Sequence, residues 1–309
     1  MSTDSGAVAA GRSGVIHDIG YRRYEGPRLA RPGIIRALYW HSLRSAFGIG
    51  RGAKAKVVPV LTFAIMCLPA VANAVSVAQS GSRTINYDTY IFQLRVLIMI
   101  IFIAAQAPEL VSRDLRSHVL PLYFSRPLRR LDYPLAKLLA FITACLAMIE
   151  LPLLFLYLGT VTQAHGWSAI WHETKAFIPG LLVGFMWAVL LAAIGLFLAS
   201  LSGRRAYSTG TIAIVFFLSW ILAGILYSVS TGQGHPFRGG QVASTGARLS
   251  GLVSPFTVLD GVRQWLGGTS PGPIPPPGNY GPLYGAMLLV LLAAALGGLA
   301  VRYRKAGVA

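Results

Sequence analysis

Six runs of this sequence, residues 57–78, 91–110, 136–158, 178–201, 211–230 and 283–301, are long and apolar enough to cross a lipid bilayer as helices. A crossing takes about 20 residues at 1.5 Å per residue. Hydrocarbon offers no water to an unpaired N–H or C=O, so such runs must satisfy their backbone groups internally, as helices do. The expected fold class is therefore all-α and integral to the membrane, a six-transmembrane-helix bundle. Composition agrees, with 54% hydrophobic residues, 12% charged residues and a mean hydropathy of +0.60, against roughly one-quarter charged in soluble domains.

The net charge of +17 raises nucleic acid as a partner, and the positions of the basic residues decide against it. With the N-terminus in the cytoplasm, Lys and Arg number ten in residues 1–56, six in 113–137, two at Arg204 and Arg205, and three in 302–305. These 21 of 27 lie in segments on one side, which is the bias that orients spans in a membrane. Topology accounts for the charge, and no nucleic-acid partner is expected. Residues 1–15 are small and polar and lack the apolar core of a secretory signal. Six spans then return the C-terminus to the cytoplasm. Arginine outnumbers lysine and alanine and glycine abound, the composition of a GC-rich bacterial genome, so the expected location is a bacterial cell membrane.

The expected organisation is a cytoplasmic arm and interfacial helix over 1–56, a transmembrane domain over 57–301, a cytoplasmic segment at 111–135, an external segment at 231–282 and a cytoplasmic tail at 302–309. In the arm, Arg22, Arg23, Arg28 and Arg31 surround Tyr21 and Tyr24. They suit a docking surface for a cytoplasmic partner or anionic lipid, or a solvated positive anchor. Ile34, Leu38, His41 and Ser45 then share a helical stripe, with Ile35, Tyr39, Ser42 and Ala46 beside it and Arg36 and Arg44 elsewhere. This pattern predicts an amphipathic helix along the membrane surface. The external segment ends in PGPIPPPGNYGP, extended and stiff. Before it, LSGLVSPFTVLDGVRQWL is too short and too interrupted to span, which predicts a re-entrant or interfacial cap.

The chain carries few charges beyond its N-terminal arm except in one basic island, residues 109–137, ELVSRDLRSHVLPLYFSRPLRRLDYPLAK. From Val111 onward this stretch resembles the cytoplasmic segment of the type-2 family of ABC exporter permeases. In that family an acidic residue after an arginine opens a short coupling helix, followed by a leucine-rich turn, a Pro before a basic residue, and a Lys beginning the third span. Arg113, Asp114, Leu120, Leu122, Pro127, Arg130 and Lys137 fall on those positions. His118 and Val119 stand where the family commonly has Gly-Thr. The resemblance implies a permease subunit without enzymatic activity, paired with itself or a similar permease and surrounded by membrane lipid. A separate ABC ATP-binding subunit would carry ATP and Mg and dock on this segment. Leu120, Leu122, Tyr123 and Phe124 would fill its groove, Arg126, Arg129 and Arg130 would stand at the rim, and Glu109 would pair with Arg113 four residues on. The alternative for the island is a basic loop that only holds topology.

Other chemistry finds no complete constellation. No GxxxxGK[ST] loop exists, so the chain lacks a phosphate cradle of its own. Residues 268–272 match GxSxG, but proline-rich coil follows where a nucleophile elbow needs a helix. WHETK begins like a zinc-protease helix without the second histidine, and His165, His172 and Glu173 read as residues of a solvated loop. Cys67 and Cys145 lie inside apolar runs as small hydrophobes, and no metal site is expected. An ATP-independent transporter or channel is the alternative function, and a membrane enzyme a third.

Within the spans, Glu150 is the one acid well inside the hydrocarbon, where a charge is costly and marks a functional position by default. It could meet a cationic substrate, hydrogen-bond between subunits, or satisfy backbone groups freed by Pro152. Asn73 and Gln106 suit helix packing or a lining of the pathway. Gly180 with Gly184, and Gly285 with Gly297 and Gly298, permit close helix approach within the bundle or between subunits.

Overall fold

A computed structural model describes residues 26, 30–80, 85–90, 94–117, 119–125, 127–231, 244–268, 272 and 275–305. Most of the arginine and tyrosine cluster of the N-terminal arm, His118, Arg126 and the centre of the GxSxG match lie outside them. Ten helices follow in order: α1 Arg31–Ala46, α2 Ala53–Ser80, α3 Leu94–Arg116, α4 Leu120–Phe124, α5 Asp132–Val161, α6 Trp167–Ser200, α7 Arg205–Thr231, α8 Thr245–Leu249, α9 Pro255–Trp265 and α10 Gly281–Lys305. No strand occurs among the described residues. Six helices, α2, α3, α5, α6, α7 and α10, are long and apolar enough to cross a membrane. The protein has the architecture of a multi-pass membrane protein.

Most helices outrun the apolar stretches that predicted them, because nothing in their flanking polar residues stops a helix from continuing into water. α3 goes on to Arg116, so Asp114 lies in its last turn. α6 begins at Trp167 and takes up His172 and Glu173, which a loop was expected to hold. With 34 residues it is about 50 Å long at 1.5 Å per residue, well beyond a hydrocarbon core of about 30 Å.

α3, α5 and α6 are the most buried spans and α10 the least. α5 touches α1, α2 and α6, α3 touches α6 and α7, and α10 touches α6 and α9. Small residues set these approaches. A β-carbon on Gly195 of α6 would stand 2.5 Å from Ile103 Cγ2 of α3, one on Gly298 of α10 2.4 Å from Phe197 of α6, and one on Gly159 of α5 2.6 Å from Ala74 of α2. Gly180 and Gly184 likewise face this chain, at Tyr87 and Glu150. The question left open for these glycines is answered inside the bundle for all but Gly297, which faces open space.

The first and ninth helices dress opposite ends. α1 buries Leu38, Ser42 and Ala46 and exposes Arg36, Trp40, His41 and Arg44. Gly48 (φ +68°) turns the chain from α1 into α2, where a β-carbon would stand 2.5 Å from the Ala55 carbonyl oxygen. Only glycine combines that backbone with that crowding. α9 lies on α10 and is buried over 255–263. A β-carbon on Gly261 would come 2.2 Å from the Tyr284 ring. Gly261→Val should lower the thermal midpoint in detergent, at a cost of about 1–3 kcal/mol of overpacking. Gly210→Ala, with open space around it, should leave the midpoint unchanged or slightly raised.

Candidate functional site

The predicted island folds into a knot of polar contacts where α3 ends and α5 begins. The Asp114 carboxylate accepts from Lys137 Nζ at 2.6 Å and from the Tyr133 hydroxyl at 2.7 Å. Lys137 also donates to the Leu110 carbonyl and lies 5.2 Å from the centre of the Tyr133 ring. The lysine side chain is only 5% exposed and the aspartate 18%, so the pair is buried on its lysine side. Its members come from the last turn of one span and the first turns of the next, a long way from a flexible loop.

Two further acids gather cations from elsewhere in the chain. Glu109 pairs with Arg51 before α2, with Arg205 at the start of α7 at 3.1 Å, and with Arg113 at 3.4 Å. The expected contact with Arg113 is therefore present but is the longest of the three. Asp132 accepts from Arg31 Nη2 at 2.6 Å, from Arg31 Nε at 2.7 Å and from the Arg129 backbone N–H at 2.9 Å, tying α1 to α5. Arg51, Arg205 and Asp132 were missed as site residues, and Arg31 was read only as part of the arm's cluster, because their partners lie 58 to 101 residues away.

α4 is clasped above this knot. Leu120 is buried, and the Tyr123 ring lies 5.3 Å from that of Tyr133, which in turn lies 5.3 Å from that of Tyr303 of α10. Leu122 points away from the bundle and is 68% exposed. Of the apolar residues expected to face a partner, Leu120 and Tyr123 instead hold the helix down, since five residues cannot stay helical without tertiary support. The Phe124 side chain lies outside what is described. Arg113, Arg116, Pro127, Arg129 and Arg130 are exposed around the helix, Arg130 donating to the Arg304 carbonyl at 3.1 Å.

At the opposite end, Arg263 of α9 bridges two acids. It donates to Asp260 at 2.8 and 3.0 Å and to Asp88, between α2 and α3, at 2.6 Å, while Gln264 donates to the second oxygen of Asp260 at 2.9 Å. Asp260 is fully buried, and burial pushes its carboxyl from the ordinary 3.8 up to about 6, against the pull of Arg263 and Gln264 and with the help of Asp88. Tyr284 donates to the Arg248 carbonyl and completes the clasp.

Of the polar residues inside spans, Asn73 is buried and accepts from the Ile85 N–H at 3.0 Å, a structural contact at the end of α2. Gln106 is buried in α3 with its Oε1 lacking a hydrogen-bond partner. Both carboxylate oxygens of Glu150 are buried without one. Glu173 accepts from Tyr87 at 2.9 Å, and no group of three His, Cys, Asp or Glu side chains gathers among the described residues.

Compared with protein-family models, with curated proteins and with solved structures, the chain finds no match. Its chemistry therefore rests on its own geometry. Two outcomes test that geometry. Lys137→Met leaves the partly buried Asp114 without its cation and should cost about 3 kcal/mol in detergent stability, whereas Asp114→Asn with Lys137→Met should recover a good part of it, because removing both charges leaves nothing uncompensated. At the other end, a carboxyl whose folded pKa is raised stabilises the fold fully below about 3.8 and loses that contribution as pH rises through about 6. Hydrogen exchange in α9, corrected for intrinsic rates, should be slower at pH 5 than at pH 7.5, and Asp260→Asn should remove the difference.

Proposed function

We propose that this chain is the membrane subunit of an ATP-driven exporter of the type-2 ABC kind, moving an amphipathic or hydrophobic substrate outward with a separate ATPase. The observation that carries this reading is α4 with its surroundings. A short helix stands at the end of two spans, offers Leu122 outward among Arg113, Arg116, Arg129 and Arg130, and is bolted to α5 through Tyr123 and Tyr133. A partner that moves on binding ATP can drive the bundle only through an element too firmly anchored to yield. The Asp114–Lys137 pair and the Tyr123–Tyr133–Tyr303 tier supply that anchorage next to the exposed apolar contact.

In this reading the basic end faces the cytoplasm of a bacterial cell, with both termini there. α1 is the interfacial helix, and α4 with the last turn of α3 is the coupling element. α8 and α9 form the outer cap, held by Arg263. ATP and Mg act on the partner, and a second permease copy completes the transporter.

A mild-detergent pull-down of the tagged chain from its host, with mass spectrometry and an ATPase assay, tests the proposal. A stoichiometric partner bearing a phosphate-loop motif should copurify. Leu122→Asp should leave the stability within about 0.5 kcal/mol, as an exposed substitution does, yet release that partner or uncouple its ATPase from transport. Tyr123→Asp should in addition unsettle the fold, since its ring packs on Tyr133. Recovery of a folded chain with no ATPase would favour an ATP-independent transporter.

A further inference from the structure

Glu150 lies about 5 Å from the middle of α5 at 1.5 Å per residue, as deep in the hydrocarbon as any acid of this chain. An ionised carboxyl at that depth needs a positive partner. Neither oxygen finds a hydrogen bond. Every other acid described inside a span, Glu109, Asp114, Asp132 and Glu173, has a named donor. A buried polar group left alone in an otherwise satisfied structure asks for an explanation.

The surroundings supply one. α5 and α6 run antiparallel, and Glu150 meets Gly184 across their seam, where a β-carbon would stand 2.3 Å from Glu150 Oε1. The missing side chain makes the notch that holds the carboxylate. Seven residues further along each helix, about 10 Å at 1.5 Å per residue, the same seam brings Tyr157 and Phe177 together, their rings stacked at 4.5 Å. Tyr87 closes this group edge-on to Phe177 at 5.6 Å. One helix pair thus presents an unpaired carboxylate in line with two stacked aromatic rings, and the turn before α3 adds a third ring edge-on. An acid accepts a cation's charge in low dielectric, and aromatic faces accept both its apolar body and its positive charge.

We infer that the α5–α6 seam binds a lipophilic cation, with the Glu150 carboxylate taking the charge and Tyr157, Phe177 and Tyr87 the apolar body. This deepens the exporter reading by naming the class of its substrate, and rests on that reading only for the substrate's transport, not for its binding.

The test is binding of tetraphenylphosphonium to the purified chain in zwitterionic nanodiscs, by isothermal titration, with empty nanodiscs subtracted. The wild type should bind saturably, and tetraphenylborate, of the same size and opposite charge, should not bind when titrated by itself. Glu150→Gln should weaken binding by about tenfold or more, as removal of a close charge pair from a dry site does, with an unchanged thermal midpoint. Glu150→Asp should keep part of the affinity, because it keeps the charge. Equal affinity in Glu150→Gln, or no saturable binding by the wild type, would overturn the assignment. Because the assay contains no ATPase, a cation site without a copurifying ATPase would sink the exporter reading alone, and an ATPase partner without cation binding would sink the site alone.

Discussion

A bilayer supplies no water, and the structure is arranged around that deficit. Backbone groups answer it by forming helices, and charged side chains answer it by meeting one another at the ends of the spans. Asp114 takes Lys137, Asp132 takes Arg31, Glu109 takes Arg51 and Arg205, and Asp260 with Asp88 takes Arg263. Each pair joins segments that apolar packing alone would leave free to slide, because lipid tails compete with side chains for the same contacts. Charge pairing fixes register at both ends, and small residues fix distance between them.

The two ends differ in what they fasten. At the basic end the acids hold α1, α3, α5 and α7 together beneath α4, so that an exposed leucine rides on a rigid platform. At the other end a buried arginine shared by two acids holds α9 to the turn before α3. Burial pushes the Asp260 carboxyl up to about 6, so that clasp changes its protonation under mildly acidic conditions. The exporter proposed above would use this division as a stiff lever at one end and a closure at the other.

Between the ends, the α5–α6 seam combines tight packing with one unsatisfied group. Gly195 lets α3 approach α6 at Ile103, while Gly184 makes room for Glu150. The same residue type serves close packing at one level and a polar notch at another. A satisfied carboxylate would have locked the seam, whereas an unsatisfied one leaves it receptive to a positive charge.

The sequence alone determined the six spans, the all-helical class and the concentration of positive charge at one end. These follow from local hydrophobicity and from the Lys and Arg count, and both are read along the chain without knowing what touches what. Asp114, Lys137 and Leu122 could be singled out because their stretch resembles the type-2 permease segment, and the Glu109–Arg113 contact because it is a single helical turn. What only the tertiary structure decided is who faces whom. That Arg51 and Arg205 outdo Arg113 at Glu109, that Leu120 and Tyr123 turn inward, and that Arg263 reaches Asp88 across 175 residues depend on helix rotation and register. Those are set by the simultaneous packing of all six spans, which no window of neighbouring residues contains.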